Sequence, residues 1–382
     1  MDFEWPERAL AIRKEICDFL DRELPPWWDI NVNTLTAEAG AAHHDFCRDF
    51  SIKLAKHGYL TPHWPREYGG RDAGAWELFA LSEVLSAYGD PRGQQYMNVN
   101  WIGPAIMRYG TTEQKEYFLG RMSRGELQFC QGFSEPGAGS DLAALRTSAI
   151  RDGDTYVVNG QKVWTSYAVT ADYCFLLVRT DPHSRGPAGL STLLVPMGTP
   201  GLTVRPISNL MDHGFCELFF DDCRVPIASR LGAENQGWKV AMDALSFERI
   251  GMARYARALK LLDEMIKRLR TSGELDNPVT AERVGQAIAA CHAARALAYR
   301  VIDARARSLP PGPEGNVARL ASIWAEQIAV DAIFDLTHDA VEAGSLGDQA
   351  LKSALPSGHA TGSIEVNLGI IAKHGLGLVG TI

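Results

Sequence analysis

The period of the hydrophobic pattern changes twice along the 382-residue chain, and this change constrains the fold more than any other feature. Over the first ~125 residues apolar side chains recur at helical spacing, as in ALAIRKEICDFLDREL and AWELFALSEVLSAYG. The period is then two until about residue 235, after which helical spacing returns. Helices and strands are segregated, so the pattern favours an α+β fold over a βαβ chain, with domains at 1–125, 126–235 and 236–382.

The middle segment is predicted to be all-β, a barrel or a sandwich. It contains two turn dipeptides, Asp152-Gly153 and Asn159-Gly160, and each is flanked by β-branched and aromatic residues. This combination predicts two β-hairpins. Further strands are expected in DYCFLLVRT, STLLVPM, LTVRPI and CELFFDDCRVP.

The C-terminal segment is predicted to be a helix bundle. Its first part, WKVAMDALSFERIGMARYARALKLLDEMIKRLR, is expected to form one long helix. Two more helices are expected in TAERVGQAIAACHAARALAYRVIDARARSL and NVARLASIWAEQIAVDAIFDLTHDAVE, with PPGPEG between them.

Composition excludes several classes of protein. A net charge of −8 argues against nucleic acid as the main partner. The seven cysteines are odd in number and form no C-x-x-C pair, so neither a disulfide framework nor a metal site is indicated, and reduced thiols in the cytoplasm are expected. The acidic, amphipathic N-terminus does not look like a targeting signal, and no apolar run reaches the ~18 residues of a membrane span.

The stretch GFSEPGAGSDLAAL is the most unusual local feature of the chain. Gly137 and Gly139 supply two glycines of a G-x-G-x-x-G pattern, but the third position is Leu142 and the flanks are not a βαβ unit, so a Rossmann site is not supported. Two interpretations stay open. The glycines permit positive φ in a structural loop, or the loop amides bind a phosphate with the hydroxyls of Ser134 and Ser140.

This stretch and four later ones resemble the acyl-CoA dehydrogenase family over essentially the whole chain. The later stretches are RDGDTYVVNGQKVWTS, FFDDCRVP, GAENQGWKVAM and GSIEVNLGIIAKHGLGL. The resemblance implies an N-terminal helical domain, a middle β domain and a C-terminal four-helix bundle, with FAD between the last two. It also implies α,β-dehydrogenation of an acyl-CoA thioester, with electrons passed to an electron-transferring flavoprotein.

Matching positions in the family motifs imply the contacts with FAD. Trp164 and Ser166 are expected to lie against the isoalloxazine ring, which an indole can cover while hydroxyls bind its polar edge. From its pattern alone, Trp164 could instead be a tryptophan of a β core. Ser140 is also expected to contact substrate. The remaining expected FAD contacts are Phe133 and Ser134 at the ring, Gly139 and Ser140 at the pyrophosphate, and Ser363 and Glu365.

Removal of the α-proton requires a carboxylate as base. In many family members a glutamate precedes the glycine of a C-terminal motif, but here that position is Thr361, which cannot act as a base. A second family location for the base is the ER pair of a bundle helix, occupied here by Glu248 in DALSFERIGM. From helical spacing, Glu248 is either a base or part of a buried ion pair, because its helical neighbours are small or apolar. The family position favours the base.

Two further contacts with substrate follow from the resemblance. Arg249 matches an arginine that contacts substrate in a D-x-x-R pattern, although Ser246 replaces the aspartate here. The backbone N–H of Thr361 is expected to polarise the thioester carbonyl.

Two family motifs that reach FAD across a subunit interface are missing from this sequence. The regions equivalent to R-x-x-F-G and G-G-x-G read RLRTSGELDNPVTAER and HDAVEAGSLGDQAL. The chain therefore resembles the base-carrying subunit of the bacterial α₂β₂ heterotetramers that degrade steroid side chains, which implies a homologous partner subunit and a bulky steroid acyl-CoA. Two alternatives remain: a flavin oxidase or monooxygenase of the same fold, and a non-catalytic stabilising subunit.

Overall fold

The computed structural model describes residues 5–28, 37–210, 214–248, 253–310, 312–338, 342–359 and 362–378, with backbone only at 37–41 and 246–248. The chain divides into two compact units. The first contains residues 1–35, 72–91 and 249–382, and the second contains residues 36–71 and 92–248.

The helices carry the N-terminal and C-terminal parts of the chain. Several ends match local sequence signals: Pro278 opens a helix behind an Asn277 cap, and Gly273, with φ +79°, ends the helix before it. In chain order the helices are α1 Glu7–Glu23, α2 Ala37–Lys56, α3 Ala75–Ala87, α4 Gln95–Met97, α5 Gly103–Tyr109, α6 Thr112–Ser123, α7 Gly237–Glu248, α8 Arg254–Ser272, α9 Pro278–Ala306, α10 Glu314–Leu336, α11 Leu346–Ala354 and α12 Ile364–Ile370.

The single long helix expected at the start of the C-terminal segment is wrong. Helix α7 ends at Glu248 and α8 begins at Arg254. Ala253 precedes α8 with φ −78° and ψ 59°, outside the helical region. Hydrophobic spacing alone therefore overestimated the length of this helix.

The middle segment forms one eight-stranded sheet with the order β6-β7-β3-β2-β4-β5-β8, and β1 pairs with β4. Pairing is antiparallel except for β1 with β4 and β2 with β4. The strands are β1 Phe129–Gly132, β2 Ser148–Asp152, β3 Thr155–Lys162, β4 Tyr173–Arg179, β5 Leu190–Pro196, β6 Leu202–Pro206, β7 Cys216–Pro226 and β8 Arg230–Leu231.

The first of the two predicted hairpins is confirmed and the second is wrong. Asp152 pairs with Thr155 across a two-residue turn between β2 and β3. Asn159 and Gly160 instead lie inside β3, where the register against β7 shifts between Val158 and Gly160. The dipeptide therefore forms a β-bulge within a continuous strand.

Long-range contacts explain the bulge. The Asn159 side chain donates to Asp222 Oδ1 at 3.0 Å and accepts from the Asp222 amide at 2.9 Å. Gly160 has φ +146°, and a Cβ at this position would lie 2.7 Å from the Cα of Thr147. The glycine is required by this close approach of two strands and not by a turn.

The predicted fold class is confirmed: a helical N-terminal part, a β middle part and a helical C-terminal part. The domain ranges 1–125, 126–235 and 236–382 remain a prediction. All seven cysteines are free thiols. Within the described ranges, every helix is too short or too polar to cross a membrane.

Candidate functional site

Residues 133–147, here called the glycine loop, leave β1 and return to β2 in the second unit. The carboxylate of Glu135 ties the two ends of the loop together. Its Oε2 accepts from the Arg146 amide at 2.7 Å, and its Oε1 accepts from the Thr147 amide at 2.8 Å. A further backbone bond joins the Val163 amide to the Ser134 carbonyl at 2.9 Å, which places the start of the loop beside the end of β3.

A buried lysine completes this anchor. Lys162 Nζ donates to Glu135 Oε1 at 2.9 Å and to the Phe133 carbonyl at 3.0 Å. Burial lowers the pKa of Lys162 to about 8, because an ammonium is costly away from water, and the neighbouring carboxylate offsets part of this effect. Burial opposes ionisation of Glu135 as well, but Lys162 and the loop donors hold the pKa of Glu135 below its usual value.

Sequence reasoning missed this pair, although a signal was present. Tyr156, Val158 and Lys162 all lie on the buried face of β3. A lysine on the apolar face of a strand requires a partner of opposite charge, and Glu135 in the glycine loop supplies it.

The glycines of the loop are open to solvent and do not serve the chain's own packing. A Cβ added at Gly137 or Gly139 would meet no atom within 4 Å, and neither residue has a positive φ. The interpretation that these glycines permit a left-handed turn is therefore wrong. Open glycine backbone is what the close approach of a phosphate requires.

Three hydroxyls of the predicted site are also available. The Oγ atoms of Ser134, Ser140 and Ser166 make no hydrogen bond to another described residue, and neither do the amides of Gly139 and Ser140. The side chain of Phe133, in contrast, is buried against Phe175, with 5.4 Å between ring centroids, so that only its backbone can face a ligand.

Trp164 has an exposed side chain on a left-handed backbone. Its exposure is 57% and its φ is +60°, whereas the alternative of a tryptophan in a β core requires burial and is wrong. Two backbone hydrogen bonds between Thr165 and Cys216, at 3.0 and 3.1 Å, hold the segment beside β7. The indole meets Phe215 edge to face, with 5.7 Å between ring centroids.

Thr165 lies between the two predicted ring contacts and was not singled out in the sequence. Its Oγ1 is buried without a hydrogen-bond partner. Buried hydroxyls are normally satisfied, so this atom indicates a polar group that lies outside the described residues. The open glycines, the available hydroxyls and the exposed indole fit FAD, which offers a pyrophosphate and a planar ring edged with polar atoms.

The helix that ends at Glu248 is fixed to a neighbouring helix of the same unit. Asp243 of α7 accepts from the hydroxyl of Tyr109 and pairs with Arg108 Nη1 at 3.0 Å. Both partners belong to α5. Burial and the Asp243 hydrogen bond raise the pKa of Tyr109 to about 12, so the phenol remains a donor at neutral pH.

The remaining predicted residues belong to the first unit or lie outside the described residues. The Ser363 hydroxyl accepts from the Val366 amide at 3.3 Å and caps α12. Glu365 is exposed, and hydrogen bonds from its own amide and from Ser363 lower its pKa. The side chain of Glu248 and the whole of Arg249 and Thr361 lie outside the described residues, so their roles and the FAD contacts of Ser363 and Glu365 remain predictions.

Comparison with known proteins identifies the class. The family models for the N-terminal, middle and C-terminal domains of acyl-CoA dehydrogenase match residues 6–126, 130–223 and 235–376. The chain belongs to the acyl-CoA dehydrogenase family, whose members are FAD-dependent oxidoreductases.

The chain is also similar to individual members of this family. The chain is 33% identical to acyl-CoA dehydrogenase FadE26 of Mycobacterium tuberculosis, over 87% of this chain and 84% of the relative. It is 38% identical to acyl-CoA dehydrogenase IpdE1 of the same organism, over 75% and 76% of the two chains. Among solved structures, the Tcur3481-Tcur3483 steroid ACAD is 29% identical with TM-score 0.89, and the ChsE4-ChsE5 complex from Mycobacterium tuberculosis is 28% identical with TM-score 0.87; each match covers 100% of both chains.

Proposed function

We propose that this chain is the base-carrying subunit of an α₂β₂ acyl-CoA dehydrogenase that oxidises a bulky, steroid-type acyl-CoA. The observation that carries the proposal is the glycine loop, whose open backbone and available hydroxyls fit one half of an FAD site, in a sequence without the R-x-x-F-G segment. Similarity to a steroid ACAD and to the two-chain ChsE4-ChsE5 complex supports the substrate class and the assembly.

When bound, FAD would supply the acceptor for the hydride that leaves Cβ of the acyl group. The chain's own residues bind and orient it. The Trp164 indole would cover the ring, the hydroxyls of Ser134 and Ser166 would meet its polar edge, and the backbone at Gly139 and Ser140 would bind the pyrophosphate. Because the Glu135–Lys162 pair already fixes both ends of the glycine loop, the cofactor meets an ordered site and little further ordering is required.

Glu248 removes the proton from Cα. The Thr361 amide donates to the thioester carbonyl, which stabilises the negative charge that develops as this proton leaves. Arg249 contacts the substrate. An electron-transferring flavoprotein would be the electron acceptor, as the family motifs imply.

A homologous partner supplies the missing half of the cofactor site. Without the R-x-x-F-G arginine the pyrophosphate lacks charge-assisted hydrogen bonds, each worth ~1.5–3 kcal/mol, so the chain alone should bind FAD weakly. Co-expression with a homologous chain that carries R-x-x-F-G should give a yellow α₂β₂ complex. FAD released on denaturation, measured against mass from light scattering, should amount to one per αβ pair, and a fully active yellow homotetramer with one FAD per chain would contradict the heteromeric assembly.

The same complex tests the chemistry. A steroid side-chain CoA should reduce its flavin faster than butyryl-CoA, and an artificial acceptor such as ferrocenium should sustain turnover with little hydrogen peroxide. Stoichiometric peroxide would favour a flavin oxidase instead. Full activity in Glu248→Gln would exclude Glu248 as the base and would favour a stabilising role for this chain.

A further inference from the structure

Three polar side chains lie on one buried face of α10. Asn316, Arg319 and Glu326 are only 5%, 5% and 4% exposed, and their spacings of three and seven residues place them on the same side of the helix. Each of them makes a hydrogen bond to Ser357 or to Asn367. These three residues are here called the α10 network.

The C-terminal side of that chain segment is held through an asparagine pair. Asn316 Nδ2 donates to Asn367 Oδ1 at 2.8 Å. The amide of Asn367 is thereby oriented so that its Nδ2 donates to the carbonyls of Gly362 and Ser363, both at 2.9 Å. The backbone directly after Thr361 is thus fixed to α10 through two buried side chains.

The N-terminal side is held at a single residue. Arg319 Nη2 donates to the Ser357 carbonyl at 2.9 Å, and the Ser357 hydroxyl donates to the Glu326 carboxylate. Ser357 is fully buried. Side-chain hydrogen bonds therefore fix the backbone on both sides of Thr361, four residues before it and one residue after it.

Glu326 also forms an ion pair with the first residue of α8. Arg254 Nη1 lies 3.9 Å from Glu326 Oε1, and both side chains are largely buried. Arg254 is the first residue of α8 and follows Arg249 by five positions. One carboxylate thus joins the start of α8 to Ser357, which precedes Thr361 by four positions in the sequence.

We infer that Asn316, Arg319 and Glu326 are positioning residues for the dehydrogenation, aligning the Thr361 amide with the thioester carbonyl. The inference rests on the proposed function. Hydrogen bonds of this kind are directional and strong in a low-dielectric interior, whereas apolar packing fixes a backbone less specifically. A displacement of ~1 Å at a reacting group can lower a rate ~100-fold, so fixing both sides of a single donor has a measurable consequence.

Two variants weaken the network at opposite sides of Thr361. Ser357→Ala removes the hydroxyl bonded to Glu326, and Asn316→Leu removes the donor that orients Asn367 at similar volume. Ser322→Ala is the matched control, because Ser322 lies buried on the same helix but its hydroxyl donates only to the Ala318 carbonyl of α10, at 3.0 Å. All are compared in the FAD-loaded complex with the partner subunit.

The first readout is polarisation of a bound thioester. Indoleacryloyl-CoA is a conjugated enoyl thioester whose absorption moves to longer wavelength when its carbonyl is polarised. Wild type and Ser322→Ala should give the same shift, and Ser357→Ala and Asn316→Leu should lose about half of it or more. Turnover should fall ~10- to 100-fold in kcat, with a much smaller change in KM, because the lost alignment acts in the transition state.

The second readout requires neither ligand nor turnover. Amide hydrogen exchange in the peptide spanning residues 355–366 should accelerate in both network variants and stay unchanged in Ser322→Ala. Wild-type exchange and a wild-type spectral shift in the network variants would overturn the inference. A wild-type complex that polarises no thioester at all would instead contradict the proposed function.

Discussion

Replacing Lys162 with methionine should change how the stability of the chain depends on pH. The folded protein releases the Lys162 proton near pH 8, whereas an unfolded chain keeps it up to about pH 10.5. Between these two pH values the unfolded state binds one more proton than the folded state. The free energy of unfolding of the wild type therefore increases as the pH rises. Across this window the contribution amounts to ~3 kcal/mol.

Methionine has no proton to lose, so Lys162→Met should lack this contribution. At pH 7 the free energy of unfolding of the variant should be ~3 kcal/mol lower than that of the wild type. This value lies at the lower end of the range for removing one partner of a buried ion pair, because Glu135 keeps its two amide donors. The deficit relative to wild type should then widen as the pH rises from 8 to 10.5.

The measurement is denaturant unfolding, followed by tryptophan fluorescence, from pH 7 to pH 10.5 at fixed protein concentration. Lys56→Met is the control, since Lys56 is an exposed lysine of the same unit. Curves for wild type and Lys162→Met that run parallel over the whole range would refute the reasoning. So would a Lys56→Met curve that diverges from wild type as strongly.

Three further outcomes are expected. Glu248→Gln should keep FAD bound and lower turnover ~100-fold or more, measured as flavin content and steady-state rate; normal turnover would exclude Glu248 as the base. Gly139→Val combined with Ser140→Ala should abolish FAD retention on gel filtration while leaving circular dichroism unchanged, because no described residue lies within 4 Å of a Cβ at Gly139. Gly160→Ala should destabilise the protein by ~2–3 kcal/mol in denaturant unfolding, because the bulge admits no Cβ, and Gly153→Ala, at a turn with open space, should cost less.

The hydrophobic period was sufficient to predict the fold class, but local turn chemistry was not sufficient to predict the sheet in detail. Asp152-Gly153 and Asn159-Gly160 look equivalent in the sequence, yet only the first is a turn. The second is decided by Asp222, more than sixty residues away, which binds the Asn159 side chain. No reading of neighbouring residues contains that contact.

The candidate site, like the sheet, could be predicted only in part from the sequence. The family motif predicts Ser134, Gly139, Ser140 and Trp164 as FAD contacts, which stay predictions, and the described structure leaves their backbone or side chains available to a ligand. The Glu135–Lys162 anchor required the tertiary structure, because its members are twenty-seven residues apart. The same holds for the α10 network, whose partners were not distinguishable in sequence from ordinary polar residues of a helix.

The left-handed backbone at Trp164 makes the indole difficult to replace. A residue other than glycine in this conformation costs ~1–2 kcal/mol, and the buried part of the indole with its edge-to-face contact to Phe215 offsets that cost. Trp164→Ala keeps the backbone cost and loses the contact, so it should lower the melting temperature of the cofactor-free chain. The side chain that is expected to cover the flavin thus also stabilises its own strained backbone.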